Sequence, residues 1–221
     1  MSPLAKDSVP VFRDYSPGEL IADAAVHAAA IVAGVIGFSV LFQKVAAHGA
    51  FGDGVAMAIY AAGFFLLFGF SCAYNMAPQS PAKTLLRRFD HASIYLMIAG
   101  TYTALLSQAP ISFWAVALVT VVWTGALAGA AVRLFWPERF ERFGIAGYLA
   151  LGWSAAFAIK PLFSALPIET LALVVAGGAL YTIGVAFHLW HSLKFQNAIW
   201  HACVSVAAGC HLFGVLGAVG R

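Results

Sequence analysis

The chain has 221 residues, of which 62% are hydrophobic and only 10% charged, with a formal net charge of +3 and a mean hydropathy of +0.88. A soluble domain averages about 25% charged residues, so the composition excludes a water-soluble globular protein and points to a polytopic membrane protein. No basic cluster stands in a soluble segment, which excludes nucleic acid as a partner, and the length suits one domain of seven spans of about 20 residues each.

Segment 1–18 holds Lys6, Asp7, Arg13 and Asp14 with three prolines and no apolar core. It reads as a tail rather than a cleavable signal peptide, with the first span acting as its own insertion signal. The membrane domain is expected over 19–221. Ser16-Pro17 ahead of Glu19 marks the start of span one, 20–43. Glu19, Asp23 and His27 follow one another at i+4 and so form one stripe on one helix face. Glu19 reads as a solvated helix start. Asp23 and His27 lie deeper, where an ionisable group is costly unless it faces a partner or a site.

A glycine-punctuated loop, 44–54, leads into span two, 55–77, which is apolar until Ser71 and Asn75 form an i, i+4 pair. Pro78 and Pro81 read as helix breakers, with Lys83, Arg87 and Arg88 in a basic loop behind them. Span three, 90–107, opens on Asp90-His91, and an acid at a helix start suits the helix dipole even without a function. Spans four, five and six are expected at 112–134, 143–159 and 168–187, separated by the mixed-charge loop 137–142 and by Lys160-Pro161. Gly144, Gly147 and Gly152 read as helix-packing positions, and His188 and His191 as interfacial ones.

Span seven, 198–219, opens directly after Asn197, which stands i, i+4 to His201. On a helix the two share a face about 5.4 Å apart, whereas His211, ten residues on, cannot join them. Cys72, Cys203 and Cys210 sit in apolar runs and behave as small apolar side chains, so no disulfide framework is implied. No internal repeat is visible, which disfavours an inverted-repeat transporter.

The charge bias fixes an expected orientation. With seven spans, Lys6, Arg13, Lys83, Arg87, Arg88, Arg133, Arg139, Arg142 and Lys194 fall on one side, nine in all, against Lys44, Lys160 and Arg221 on the other. The N-terminus is therefore expected in the cytoplasm and the C-terminus outside, in the inner or plasma membrane of the cell. Asp23, His27, Ser71, Asn75, Asp90, Asn197 and His201 then lie near the cytoplasmic end, where convergence of their helices would make one polar pocket.

Several ordered motifs carry a family resemblance: Ser71-Cys-Ala-Tyr-Asn75, Arg87-Arg-Phe-Asp90-His through Gly100-Thr-Tyr102, Leu149-Ala-Leu-Gly-Trp153, Gly178-Ala-Leu-Tyr-Thr-Ile-Gly184 and Asn197-Ala-Ile-Trp-His201 with His211. From Glu19 to Gly217 the chain resembles the hemolysin III family, the bacterial branch of the progestin and adiponectin receptor (PAQR) proteins. That resemblance implies an all-α bundle of seven transmembrane helices with zinc near the cytoplasmic face. The implied ligands are a histidine ending helix two and two histidines at i, i+4 opening helix seven, with an aspartate and a serine supporting a metal-bound water. The implied chemistry is hydrolysis of lipid amides such as ceramide.

Matched residue by residue, Ser71 stands for the serine, Asp90 for the aspartate and His201 for the second histidine of helix seven. Asn75 and Asn197 occupy the other two histidine positions, and Ala104 replaces a proline after Gly-Thr-Tyr. One histidine and two neutral amides are a poor zinc set, since zinc takes imidazole, thiolate or carboxylate donors. The two asparagines can instead hydrogen-bond each other between helices two and seven, for about 0.6–2 kcal/mol.

The leading expectation is accordingly a binder or sensor of a lipid or other apolar ligand, with Ser71, Asn75, Asp90 and Asn197 reading its polar head and the zinc site degenerate. A second reading is a metal-dependent lipid amide hydrolase in which Asp23, His27, Asp90 and His201 converge on an ion, with Ser71 and Asp90 as catalytic groups. A third is a membrane-lytic pore former, which the absence of a large amphipathic segment disfavours. Arg87 and Arg88 near the mouth of the pocket suit anionic lipid heads, but equally the positive-inside bias.

Overall fold

The computed structural model describes residues 13–138, 143–158 and 166–220. Among these the secondary structure is wholly helical: α1 Pro17–His48, α2 Phe51–Met76, α3 Pro81–Ser107, α4 Phe113–Phe135, α5 Gly144–Gly152 with a 3₁₀ turn Ser154–Ala158 after it, α6 Ile168–Leu189 and α7 Gln196–Ala218. The charged positions Lys6, Arg139, Arg142, Lys160 and Arg221 used for the orientation lie outside the described residues.

Three of the described helices, α1, α3 and α4, begin on a serine cap. Ser16 accepts from the Glu19 N–H while the Glu19 side chain returns to the Ser16 N–H, a capping box that starts α1. Ser112 accepts from the Ala115 N–H and starts α4. At α3 the structure corrects the sequence reading. Ser80 caps the helix and Pro81 occupies its first turn, where a missing N–H and a fixed φ favour helix rather than break it. Lys83, Arg87 and Arg88 are thus helical, and Asp90 is no longer an acid of the first turn but lies more than two turns inside.

Among the described residues five helices, α1, α2, α4, α6 and α7, are long and apolar enough to cross a membrane by themselves. Helix α3 is 27 residues long, about 40 Å at 1.5 Å per residue, but its opening is charged. Its place is interior: α3 packs between α2 and α4, while α1 packs on α2 and α7, and α6 on α7. Reciprocal glycines allow the α2–α3 contact, since a Cβ on Gly63 would meet the Leu96 carbonyl at 3.0 Å and one on Gly100 the Ile59 carbonyl at 3.1 Å. Such small-residue crossings are how membrane helices gain close packing.

The side chains sort as a bundle in lipid requires. Phe38, Tyr60, Phe64 and Phe68 interlock between α1 and α2 at ring separations of 4.6–5.3 Å, and Tyr95, Val122 and Ala126 join α3 to α4. Val32, Val35 and Ile36 on α1, Val121 and Leu127 on α4, and Val206 and Phe213 on α7 are exposed. The chain is a multi-pass helical membrane protein.

The expected fifth span, 143–159, is interrupted. The Tyr102 hydroxyl donates to the Gly152 carbonyl at 2.8 Å and accepts from the Ala155 N–H at 2.8 Å, so a side chain from α3 takes over backbone bonds where α5 gives way to the 3₁₀ turn. Irregular backbone at membrane depth is tolerated only when protein satisfies it in this way. At the opposite end of the bundle from Ser16, Lys44 donates to the Leu216 carbonyl at 2.8 Å, placing a cation on the last turn of α7.

Candidate functional site

Two turns into α1, the stripe of Glu19, Asp23 and His27 divides. Glu19 stays at the cap and its Oε1 accepts from the Phe195 N–H at 3.2 Å. Asp23 and His27 turn into the bundle, with 2% and 0% of their surface exposed. Phe195 stands just before α7 at φ 61°, in the left-handed region that a bulky residue enters only when its surroundings impose it. The bond to Glu19 holds this turn, and the helix that follows carries Asn197 and His201 toward α1 and α2.

The polar side chains close into a ring. His201 Nδ1 lies 2.5 Å from Asp23 Oδ1, and Asn197 Nδ2 donates to Asp23 Oδ2 at 3.2 Å. The same amide donates to Asn75 Oδ1 at 2.9 Å, which is the asparagine pair across helices two and seven that the sequence allows. Asn75 Nδ2 donates to the Ser71 carbonyl at 2.8 Å and stands 3.4 Å from Ser71 Oγ. Ser71 Oγ then faces His201 Nε2 at 3.2 Å. From α3, the Asp90 carboxyl faces the Ser71 hydroxyl and His201. Asp23, Ser71, Asn75, Asp90, Asn197 and His201 are thus in one network drawn from α1, α2, α3 and α7, and His211 is bonded elsewhere, to the Val174 carbonyl at 3.1 Å.

Hydrogen-bond chemistry assigns the tautomers. A carboxylate only accepts, so the Nδ1 of His201 carries the hydrogen and its Nε2 presents a lone pair to Ser71. His27 Nδ1 lies 2.8 Å from the Asp23 carbonyl, another pure acceptor, so His27 also carries its hydrogen on Nδ1. Its Nε2 is a buried lone pair with no hydrogen-bond partner among the described residues, and its ring lies 4.4 Å from that of His201.

These groups border a cavity of about 650 Å³. His27, Ser71, Asn75, Asp90, Asn197 and His201 all line it, while Asp23 stands behind them, and Leu67, Phe68, Ile94, Ile98 and Val204 supply apolar wall. The cavity reaches the surface past Arg13 and His191, both exposed. There Arg13 donates to the His191 carbonyl at 2.7 Å and lies 5.1 Å from the Tyr15 ring centre. Burial raises the Tyr15 phenol above its ordinary pKa, against the lowering effect of Arg13.

The sequence did not disclose Arg133 as part of this wall. Counted only as a positive-inside residue, it is 4% exposed, lines the cavity and lies 5.7 Å over the Tyr148 ring. Gly144 is where it is because the Arg133 guanidinium occupies the place of a Cβ there. His188, read as interfacial, is in the last turn of α6 and lines the cavity too.

Residues 21–212, which contain every member of this network, match the model of the family described as Haemolysin-III related. The chain belongs to the haemolysin-III-related family. It is 33% identical over 201 residues to Hemolysin-3 of Bacillus cereus, covering 90% of each chain. It is 31% identical over 198 residues to the Hemolysin-3 homolog of Bacillus subtilis (strain 168), covering 90% of this chain and 93% of that one. Similarity extends to the human Monocyte to macrophage differentiation factor, 26% identical over 212 residues, with 89% and 83% covered.

For this haemolysin-III-related chain, the donors decide how a metal would be held. The set implied by family position does not fit zinc: Asn75 and Asn197 spend their amides on each other, on Asp23 and on Ser71, which leaves His201 as the one nitrogen ligand. A different set does fit. Asp23, His27 and His201 are all buried and can each offer one ligand atom with these atoms within 4.8 Å of one another. Two imidazoles and a carboxylate are the donor set of a common catalytic zinc arrangement. His27 is already oriented by its Nδ1 bond to the Asp23 carbonyl, as outer-shell partners orient metal-binding imidazoles.

Proposed function

We propose that this haemolysin-III-related protein binds a lipid or other apolar ligand from within the cell membrane, with the polar part of the ligand against Ser71, Asn75, Asp90, Asn197 and His201. The observation that carries this reading is the division of the cavity: those polar groups gather in one part of its wall, and Leu67, Phe68, Ile94, Ile98 and Val204 furnish apolar wall beyond them. Its volume lies within the roughly 300–1,000 Å³ typical of small-molecule sites. The positive-inside bias supports placing the polar part at the cytoplasmic end of the inner or plasma membrane.

The test is to fill the apolar part. Ile98→Trp places a large ring in the cavity without touching the polar network, and is expected to weaken binding of a fluorescent long-chain acyl amide at least tenfold in detergent. Unchanged affinity in a folded Ile98→Trp variant would remove this reading.

A second reading, metal-dependent hydrolysis of a lipid amide, is favoured by one observation, the unpartnered Nε2 of His27. Asp23, His27 and His201 would hold the ion, which when bound lowers the pKa of a water toward about 7. The chain's own contribution would be orientation: the Asp23 carbonyl holds the His27 ring and the Asn197 amide holds the Asp23 carboxylate. The measurement for this reading is metal retained by the purified protein and lost in His27→Ala.

A further inference from the structure

A second part of the cavity wall is cationic, and α3, α4 and α6 supply it. Arg13, Arg87 and Arg133 line the cavity, against Asp90 as the one carboxyl in the lining among the described residues. Arg87, Arg133 and His188 all act electrostatically on the His91 imidazole, so the three helices bring them to one region of the wall. Arg87 also acts on Asp90, and the balance of the wall stays positive. Arg88, by contrast, is not a lining residue and donates to the Leu134 carbonyl at 3.4 Å.

Arg133 is built into this wall. It is buried, where an ion is costly and marks a functional position. The Tyr95 and Tyr148 hydroxyls are hydrogen-bond partners of its side chain; both are neutral, so these bonds fix the guanidinium without cancelling its charge. Glycines make the room. A Cβ on Gly144 would meet the guanidinium, and one on Gly147 would meet Tyr95 Oη at 2.7 Å. On α6, His188 Nδ1 is a buried nitrogen with no hydrogen-bond partner among the described residues, in a side chain that lines the cavity, and a neutral imidazole can donate from it. A fixed planar guanidinium, a second one beside it and an open imidazole nitrogen are the parts of a phosphate site.

We propose that Arg133, Arg87 and His188 bind the phosphate of a phosphomonoester lipid whose acyl chain lies in the cavity. The proposal rests on the reading that the cavity takes an amphiphile, and it gives that amphiphile its charge. A phosphomonoester suits this wall better than a carboxylate does. It carries about −1.5 to −2 charges near pH 7 and offers three acceptor oxygens, which matches two guanidiniums and a further donor from separate helices. The hydroxyl and ester part of such a lipid is left for Ser71, Asn75 and Asn197, and the chain for Ile94, Ile98 and Val204. Arg13, exposed at the mouth, puts another positive charge on the way in, where it draws an anion toward the opening.

Oleoyl lysophosphatidic acid and oleoylglycerol differ by the phosphate alone, and native mass spectrometry of the full-length protein in nonionic detergent counts each lipid bound per chain. The expected result is one lysophosphatidic acid per chain, bound about tenfold or more tighter than oleoylglycerol, since each charge-assisted bond to a phosphate is a strong one. Arg133→Gln is expected to bring the ratio of the two affinities close to one, Arg87→Gln to reduce it, and Arg133→Lys to keep part of it. Oleoylglycerol still bound by a variant reports that its cavity is intact. Equal affinity of the wild-type chain for the two lipids overturns the phosphate site and leaves the cavity reading in place, and a preference that survives in both glutamine variants overturns the assignment to Arg133 and Arg87. Displacement of lysophosphatidic acid by inorganic phosphate at equal concentration would make free phosphate the ligand and overturn the lipid. Failure of folded wild-type protein to bind either lipid overturns the cavity reading and the phosphate site together. Because the wild-type comparison is decisive alone, a variant that fails to fold does not shield the proposal.

Discussion

Asp23→Ala is expected to lower the stability of the bundle by about 3 kcal/mol, the low end of what removal of one partner costs a buried ion-paired network. Asp23 is 2% exposed, and its two oxygens are the acceptors for His201 Nδ1 and Asn197 Nδ2. Without them the buried His201 N–H loses its acceptor, whereas Asn197 keeps its bond to Asn75. One orphaned donor and one weakened one account for the low end of the range. The loss also removes both bonds of the ring that join α1 to α7, although Lys44 still holds the Leu216 carbonyl at the other end of the two helices. Thermal unfolding in detergent measures it, and a shift indistinguishable from that of an outward-facing control such as Val35→Ala would show that the Asp23 contacts contribute no net stability.

Asn75→His together with Asn197→His is expected to convert the site into a zinc centre holding about one ion per chain, as three imidazoles suffice for an open catalytic-type site. The side chains at 75 and 197 already touch at 2.9 Å, and position 197 shares its helix face with His201. The change also removes the Asn197 bond that steadies Asp23, so either single substitution is expected to give much less metal than the pair. Elemental analysis after extensive dialysis checks this. If the double variant folds and remains free of zinc, the asparagines do not stand at the corners of a metal-sized space. Zinc retained by the unaltered chain and lost in His27→Ala would instead favour the set of Asp23, His27 and His201.

Much of the site was readable because helices repeat on a short period. The i, i+4 spacing alone paired Asp23 with His27, Ser71 with Asn75 and Asn197 with His201, and the sidedness of the spans put all three pairs at one end of the chain's bundle. What the period does not encode is the crossing of α1 with α7. That crossing makes Asp23 rather than either asparagine the immediate partner of His201.

The misreadings have equally local causes. Pro81 is a breaker inside a helix and a starter in its first turn, and only the Ser80 cap separates the two cases. Arg133 sits between Val132 and Leu134 with nothing in the sequence to distinguish a buried arginine from one that reaches the interface. The interruption after α5 depends on a hydroxyl from α3, a contact some 50 residues distant in the chain that no reading of span five alone could supply.

The most direct measurement is photocrosslinking in nanodiscs with a long-chain acyl amide that bears a diazirine on its alkyl chain. Crosslinks to Ile94, Ile98 and Val204, saturating with probe and competed by the unlabelled amide, are the predicted result, because these side chains line the cavity. Crosslinks confined to the outward-facing Val35, Ile36, Val206 and Phe213, rising without saturation, would show the probe dissolved in the surrounding lipid and would contradict a ligand held inside the bundle.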